Sequence, residues 1–144
     1  MLAISADGRR AIVADAERAY PHECCGVFVG RRSGDDIEVV RAVPAANENT
    51  DRPAVWYDLA PADFERIARE ARADGLDVVG FYHSHPDHPA RPSEGDRSRA
   101  LGSYVYVIAA VEKGQYKEMT AWTLDDDMAF PEHSAKFVAV PIRS

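Results

Sequence analysis

The sequence has only two cysteines among 144 residues, and they are adjacent, Cys24 and Cys25. Neighbouring Cα atoms lie about 3.8 Å apart across a trans peptide, closer than ordinary disulfide geometry allows, so no structural disulfide is expected. A reactive thiol or a metal ligand is one reading of the pair; two small apolar residues filling a core is the plainer one. Positive charge is also scarce. Lys and Arg number 17 against 24 Asp and Glu, a formal net charge of −7, which withholds the cationic footprint of a general nucleic-acid binder. The longest purely apolar run, Tyr104 to Val111, falls far short of the roughly 20 residues of a membrane helix. The opening residues, MLAISADGRR, lack the sustained apolar stretch of a secretory signal. The expectation is a cytoplasmic protein whose partners include neither nucleic acid nor membrane.

What is present is the composition of a globular domain: 46% hydrophobic and 28% charged residues. The length points to a single domain, residues 1–144. Ile12, Ala16, Ala19 and Tyr20 share one helical face over Ala6 to Tyr20, with Ser5 or Asp7 as N-cap and Pro21 ending the helix. Cys24 to Gly30 and Ile37 to Val43, joined by Ser33-Gly34-Asp35-Asp36, read as a hairpin. A polar loop, Pro44 to Pro53, leads to strand-like Val55-Trp56-Tyr57. Phe64, Ile67, Ala68 and Ala71 then mark the clearest helix, Pro61 to Asp74, stopped by Gly75. Val78 to Tyr82 reads as a short buried strand, followed by a proline-rich loop, His85 to Pro92, and a brief helix, Glu94 to Leu101, closed by Gly102. Tyr104 to Val111 suits the middle of a sheet; Lys113-Gly114 turns the chain into Tyr116 to Thr123, and Phe137 to Ile142 adds an edge strand. Asp125-Asp126-Asp127 is read as a solvated turn. Interleaved strands and helices give an α/β or α+β class with one central sheet.

Chemistry concentrates in Gly80 to Asp96, GFYHSHPDHPARPSEGD. His83 and His85 stand two apart at the end of a strand, and alternate residues of extended backbone share a face, so both imidazoles can converge on one ion. Ser93-Glu94-Gly95-Asp96 matches a helix-start capping box. That is sufficient structural reason for Ser93 and Asp96. It also holds a carboxylate rigidly in a first helical turn, where it can face the two histidines. Two His and one carboxylate form a ligand set typical of catalytic zinc, with the fourth position left for water, although the set does not force zinc over iron or manganese. Asp87 and His88 compete as ligands, but Pro86 and Pro89 bracket them nearer the loop tip, and Asp96 is favoured. Ser84, between the histidines, should point to the other face and receives no catalytic role.

His83-Ser84-His85-Pro86, a loop, and then Ser93 and Asp96 resemble the metal-binding signature of the JAMM (MPN-plus) zinc metallopeptidases. Pro21-His22-Glu23-Cys24-Cys25-Gly26 is similar to the site of that family's upstream glutamate. The resemblance runs from the first helix to the Tyr116–Thr123 strand. It implies a cytidine-deaminase-like three-layer fold, a mixed central sheet flanked by helices, with one catalytic zinc. It implies zinc ligation by His83, His85 and Asp96, acid/base catalysis by Glu23, and oxyanion donation by Ser93. It further implies a substrate bond at the C-terminal tail of a ubiquitin-like protein, peptide or isopeptide. The short candidate insertion points, Pro44 to Pro53 and Lys113-Gly114, are similar to the compact prokaryotic form, associated with small ubiquitin-fold sulfur carriers. A homodimer is compatible with it.

Two other functions fit these residues less well. A non-catalytic scaffold that binds a ubiquitin-like partner is disfavoured by the intact set Glu23, His83, His85, Ser93 and Asp96. Nucleoside deamination on the related fold needs His-x-Glu and Pro-Cys-x-x-Cys, which this sequence lacks.

Overall fold

The structure, a computed structural model, describes residues 1–125 and 136–143. In chain order the elements are β1 (Leu2–Ile4), α1 (Ala6–Ala19), β2 (Cys25–Ser33), β3 (Asp36–Ala45), α2 (Pro61–Ala73), β4 (Asp77–Pro86), α3 (Glu94–Arg99), β5 (Val105–Glu112), β6 (Gln115–Asp125), β7 (Lys136–Val140) and β8 (Ile142–Arg143). The strands form one eight-stranded mixed sheet in the order β7-β6-β5-β4-β2-β3-β1-β8. Hairpins join β2 to β3 and β5 to β6, while β4 and β5 run parallel through a crossover that contains α3. Among the described residues no helix is long and apolar enough to cross a membrane.

The two long helices cover opposite faces of the sheet. α1 starts where Ser5 Oγ accepts from the Gly8 amide at 3.0 Å, and it buries Ile12 and Ala16, as their spacing predicts. These residues pack with Leu2, Phe28, Tyr82 and Val107 in the larger core. α2 has Pro61 in its first turn and buries Ile67 and Ala71 against Val27, Val29 and Leu76. Adjacent residues of one strand therefore serve different layers: Phe28 and Tyr82 face α1, whereas Val27 and Phe81 face α2. Gly26 lies opposite Tyr82, and a Cβ there would meet the tyrosine ring at 2.1 Å.

Several expectations are corrected. Val55-Trp56-Tyr57 is not a strand; Val55 closes a turn by donating to the Arg52 carbonyl, and only the Asn47–Leu59 bridge gives this region sheet-like pairing. The Asn49 side chain caps the amides of Asp51 and Arg52 instead, an alternative to ladder bonding that asparagine offers locally. β4 is longer than expected and carries both histidines inside the sheet. α3 ends at Arg99 because Ala100 is already extended, so Gly102 does not close it. The expected last strand is split by Pro141. β7 pairs with β6 at one edge and β8 with β1 at the other, so the sheet curls until its edges meet at Pro141, whose carbonyl accepts from the Leu2 amide at 3.0 Å. The Asp125-Asp126-Asp127 turn lies outside the described residues apart from Asp125, which ends β6.

Candidate metal centre and active site

The alternation that places Tyr82 and Ser84 toward α1 turns His83 and His85 to the other face, at the carboxyl end of β4. Both are buried, at 2% and 5% exposure, as is Asp96 at 7%. Their ligand atoms meet: His83 Nε2 lies 3.1 Å from Asp96 Oδ1, His85 Nε2 lies 3.1 Å from Asp96 Oδ2, and the two Nε2 atoms are 3.2 Å apart. A tetrahedral zinc shell with bonds of 2.0–2.1 Å has ligand–ligand edges of about 3.3 Å, so three donors at this spacing fit three corners of one such shell. The His-His-Asp group could hold a metal ion.

Local structure fixes each donor. His85 Nδ1 is 2.9 Å from the Pro89 carbonyl, which can only accept; Nδ1 therefore carries a proton, and Nε2 is the nitrogen that faces Asp96, donating to the carboxylate when protonated and offering a lone pair to an ion when not. The stiff turn at Pro86–Pro89 thus sets the tautomer. Asp96 is held by the expected capping box, in which Ser93 Oγ accepts from the Asp96 amide at 3.0 Å and Asp96 Oδ2 accepts from the Ser93 amide at 2.9 Å. Burial alone would raise the Asp96 carboxyl, but hydrogen bonds from His83 and His85 outweigh it and hold the group well below the usual carboxylate range. Burial likewise opposes protonation of His85, yet Asp96 and the Pro89 carbonyl raise it above the ordinary imidazole value. This is an anionic, preorganised cradle for a cation.

The competing ligands do not join the His83, His85 and Asp96 cluster. Asp87, at φ 57°, turns its carboxylate away to accept from the Tyr20 hydroxyl at 2.6 Å and the Lys113 amide at 2.9 Å. His88 is exposed and meets the His85 ring edge-on, with centroids 6.4 Å apart. Ser84 Oγ accepts from the Cys24 amide at 2.8 Å on the α1 side, as its parity requires. Cys24 and Cys25 are buried without a disulfide, and burial next to Asp15 pushes the Cys24 thiol up, away from thiolate chemistry.

Glu23 precedes β2, whose Cys25 pairs with His83, so antiparallel register sets Glu23 across from His85 and on the same face. It is 4% exposed. Glu23, His85, His88, Arg91, Ser93 and Val55 line one cavity of about 300 Å³. The five residues singled out from the sequence therefore gather in one region. Sequence reasoning missed Tyr57 and Trp56. The Tyr57 ring stacks on His83 at 4.8 Å, and Trp56 covers Gly95 so closely that a Cβ there would lie 2.6 Å from its ring. Two aromatics beside an asparagine-rich loop were the available signal of a packed loop rather than a strand.

Residues 5–125 match the family described as prokaryotic homologs of the JAB domain. A desampylase of Haloferax volcanii is 37% identical over 132 residues, 87% of this chain and 90% of that protein. A CysO-cysteine peptidase of Mycobacterium tuberculosis is 32% identical over 128 residues, 88% of this chain and 84% of its own. A probable TtuB-protein conjugate cleaving protease of Thermus thermophilus is 34% identical over 91 residues, 63% of this chain and 57% of that one. In fold, the chain is similar to a solution structure from Salinibacter ruber, with TM-score 0.71 and 35% identity over 96% of this chain and 88% of that one. A Desulfitobacterium hafniense solution structure has TM-score 0.81 at 25% identity, covering 100% of this chain and 94% of the other. The chain belongs to the prokaryotic JAB/JAMM-type family of hydrolases.

Proposed function

We propose that residues 1–144 act as one zinc-dependent peptidase or isopeptidase unit, which hydrolyses a bond at the C-terminal tail of a ubiquitin-like protein, of the sulfur-carrier kind. The observation that carries this reading is the convergence of His83, His85 and Asp96 on one point, beside a cavity that Glu23 and Ser93 both line. The relatives' names support the substrate class: one is named a CysO-cysteine peptidase, and another a probable TtuB-protein conjugate cleaving protease.

In this reading His83, His85 and Asp96 hold the ion. A zinc ion bound there supplies a Lewis acid that makes water nucleophilic near neutral pH and polarises a carbonyl. Glu23 accepts a proton from the attacking water at its carboxylate and delivers it to the leaving amine, so one water is consumed and the carboxylate is regenerated. Ser93 keeps its oxygen on the Asp96 amide and has a hydroxyl proton to offer the oxyanion. His85 keeps its proton on Nδ1, away from the reaction.

The test uses the purified zinc-loaded protein with C-terminally extended ubiquitin-fold proteins from the same genome, and product masses are read with and without chelator. Chelator-sensitive loss of the extension after the terminal glycines is expected. Glu23→Gln should retain zinc and lose on the order of 10² to 10⁴ in turnover. Tight binding of the same carriers without any cleavage would establish a tail-binding scaffold instead.

A further inference from the structure

Asn47, just beyond β3, has no role in the reading above, yet its side chain makes four hydrogen bonds beside Glu23. Nδ2 donates to the Glu23 carbonyl at 3.1 Å and to the Trp56 carbonyl at 3.2 Å. Oδ1 accepts from the Asn49 amide at 3.0 Å and from the Asp58 amide at 2.9 Å. Two carbonyls face one end of the amide and two N–H groups the other, so its orientation is determined and its donor and acceptor capacity is filled. Any residue but asparagine loses part of that set. Aspartate keeps the acceptors without the donors, and glutamine moves the whole group outward by a methylene.

The partners explain why such a hub sits here. The Glu23 main chain is gripped on both sides of its Cα: its amide donates to the Pro53 carbonyl at 2.7 Å, and its carbonyl accepts from Asn47. Pro53 and Trp56 belong to the loop that Asn47 laces together. The next residue, Tyr57, stacks on His83, and Trp56 covers Gly95, the neighbour of Asp96. One loop therefore touches the strand of the histidines, the helix of the aspartate and the segment of the glutamate. It holds the glutamate main chain at two points, at the amide through the Pro53 carbonyl and at the carbonyl through the Asn47 side chain.

We infer that Asn47 is a positioning residue for Glu23: its amide locks the Glu23 main chain to the loop packed on His83 and Gly95, and so fixes the reach of the Glu23 carboxylate to the metal cluster. The inference rests on Glu23 as the general base. Displacement of a catalytic group by about 1 Å from a remote change can cost on the order of 10² in rate, which makes such a lock consequential.

The test compares Asn47→Ala, Asn47→Asp and Asn49→Ala in the zinc-loaded full chain. The probe is a ubiquitin-fold protein that ends in two glycines and is fused to a short C-terminal peptide. Asn47→Asp retains the loop-side acceptors but replaces the donors with a charged oxygen that faces the two carbonyls, whereas Asn49→Ala loosens the same loop without touching Glu23. Both Asn47 variants should lower kcat by about 10- to 100-fold with KM changed less than about three-fold, and should keep the parental zinc content. Neither should deepen the loss already present in Glu23→Gln, since both act through that carboxylate. Independently of turnover, the Glu23 amide should exchange faster with deuterium in both. Parental kcat and Glu23 exchange in the Asn47 variants, or an equal loss in Asn49→Ala, would overturn the inference. Parental turnover in Glu23→Gln would overturn the base reading itself, and it is told apart because position 47 is then intact.

Discussion

The two faces of β4 bury polar groups in opposite ways. Toward α1, Tyr82 donates its hydroxyl to buried Asp15 at 2.8 Å, Arg18 pairs with the same carboxylate, and Ser84 accepts from Cys24. Apart from Arg18, which reaches the carboxylate from the surface, these groups lie within an apolar cluster of Leu2, Ile12, Phe28 and Val107. Toward α2, one residue further along the same strand, His83 and His85 aim Nε2 atoms and a carboxylate at a single point. The first arrangement is complete without any further group; the second brings lone pairs and negative charge together, which is favourable only with a cation or protons between them. Burial of polarity alone does not mark a functional site. What marks it is a direction in which the buried polar atoms converge.

Four experiments would break or sharpen that contrast. The largest effect is expected from His85→Ala, which removes one corner of the shell: metal content and turnover should both fall to background, by elemental analysis and product mass, while the α1-side core keeps the protein folded. Ser93→Ala should follow, with turnover lower by about 10²- to 10³-fold if its hydroxyl meets the oxyanion. It should also cost about 1 kcal/mol from the lost N-cap, measured by urea melts. A loss of stability without a loss of turnover would make Ser93 only a cap. On the other face, Tyr82→Phe strips a donor from a buried carboxylate and should destabilise by about 1–3 kcal/mol with zinc stoichiometry unchanged. A change in metal content there would mean that the two faces are not independent.

The smallest effect concerns pH in the metal-free protein. The His85 value is raised, so its contribution to stability is full below the ordinary imidazole range and is lost as pH rises through the raised value. The Asp96 value is depressed, so its contribution is full above the ordinary carboxylate range and is lost as pH falls toward the depressed value. Metal-free protein should therefore be most stable between those two ranges and lose stability on the alkaline side. Excess zinc should reverse that alkaline loss, since the ion replaces the proton. Denaturant melts at pH 5 and pH 8.5, with zinc or chelator, check both signs.

The site was more legible in the sequence than the loop that packs on it, for a physical reason. His83 and His85 follow from the two-residue period of a strand, and Asp96 from a capping box of four consecutive residues; both are local rules. Glu23 carried no local signal and gained meaning only through the family resemblance, because its place depends on the register between β2 and β4. Asn47, Trp56 and Tyr57 act through contacts made across the sequence, and strand-like residue types misdirected the reading of the last two. The curl of the sheet was equally hidden. Nothing in Phe137 to Ile142 distinguishes one edge strand from two half-strands on opposite edges except Pro141.

α3 has only six residues, too few to persist as an isolated helix in water, and its first turn is pinned by the carboxylate that belongs to the ligand cluster. Secondary structure and ion affinity are thus a single equilibrium at this point of the chain. The amide proton of Asp96, bonded to Ser93 Oγ, becomes a built-in gauge of occupancy. Its protection from solvent exchange should rise as the site fills, giving a readout of metal loading that needs neither substrate nor a coloured ion.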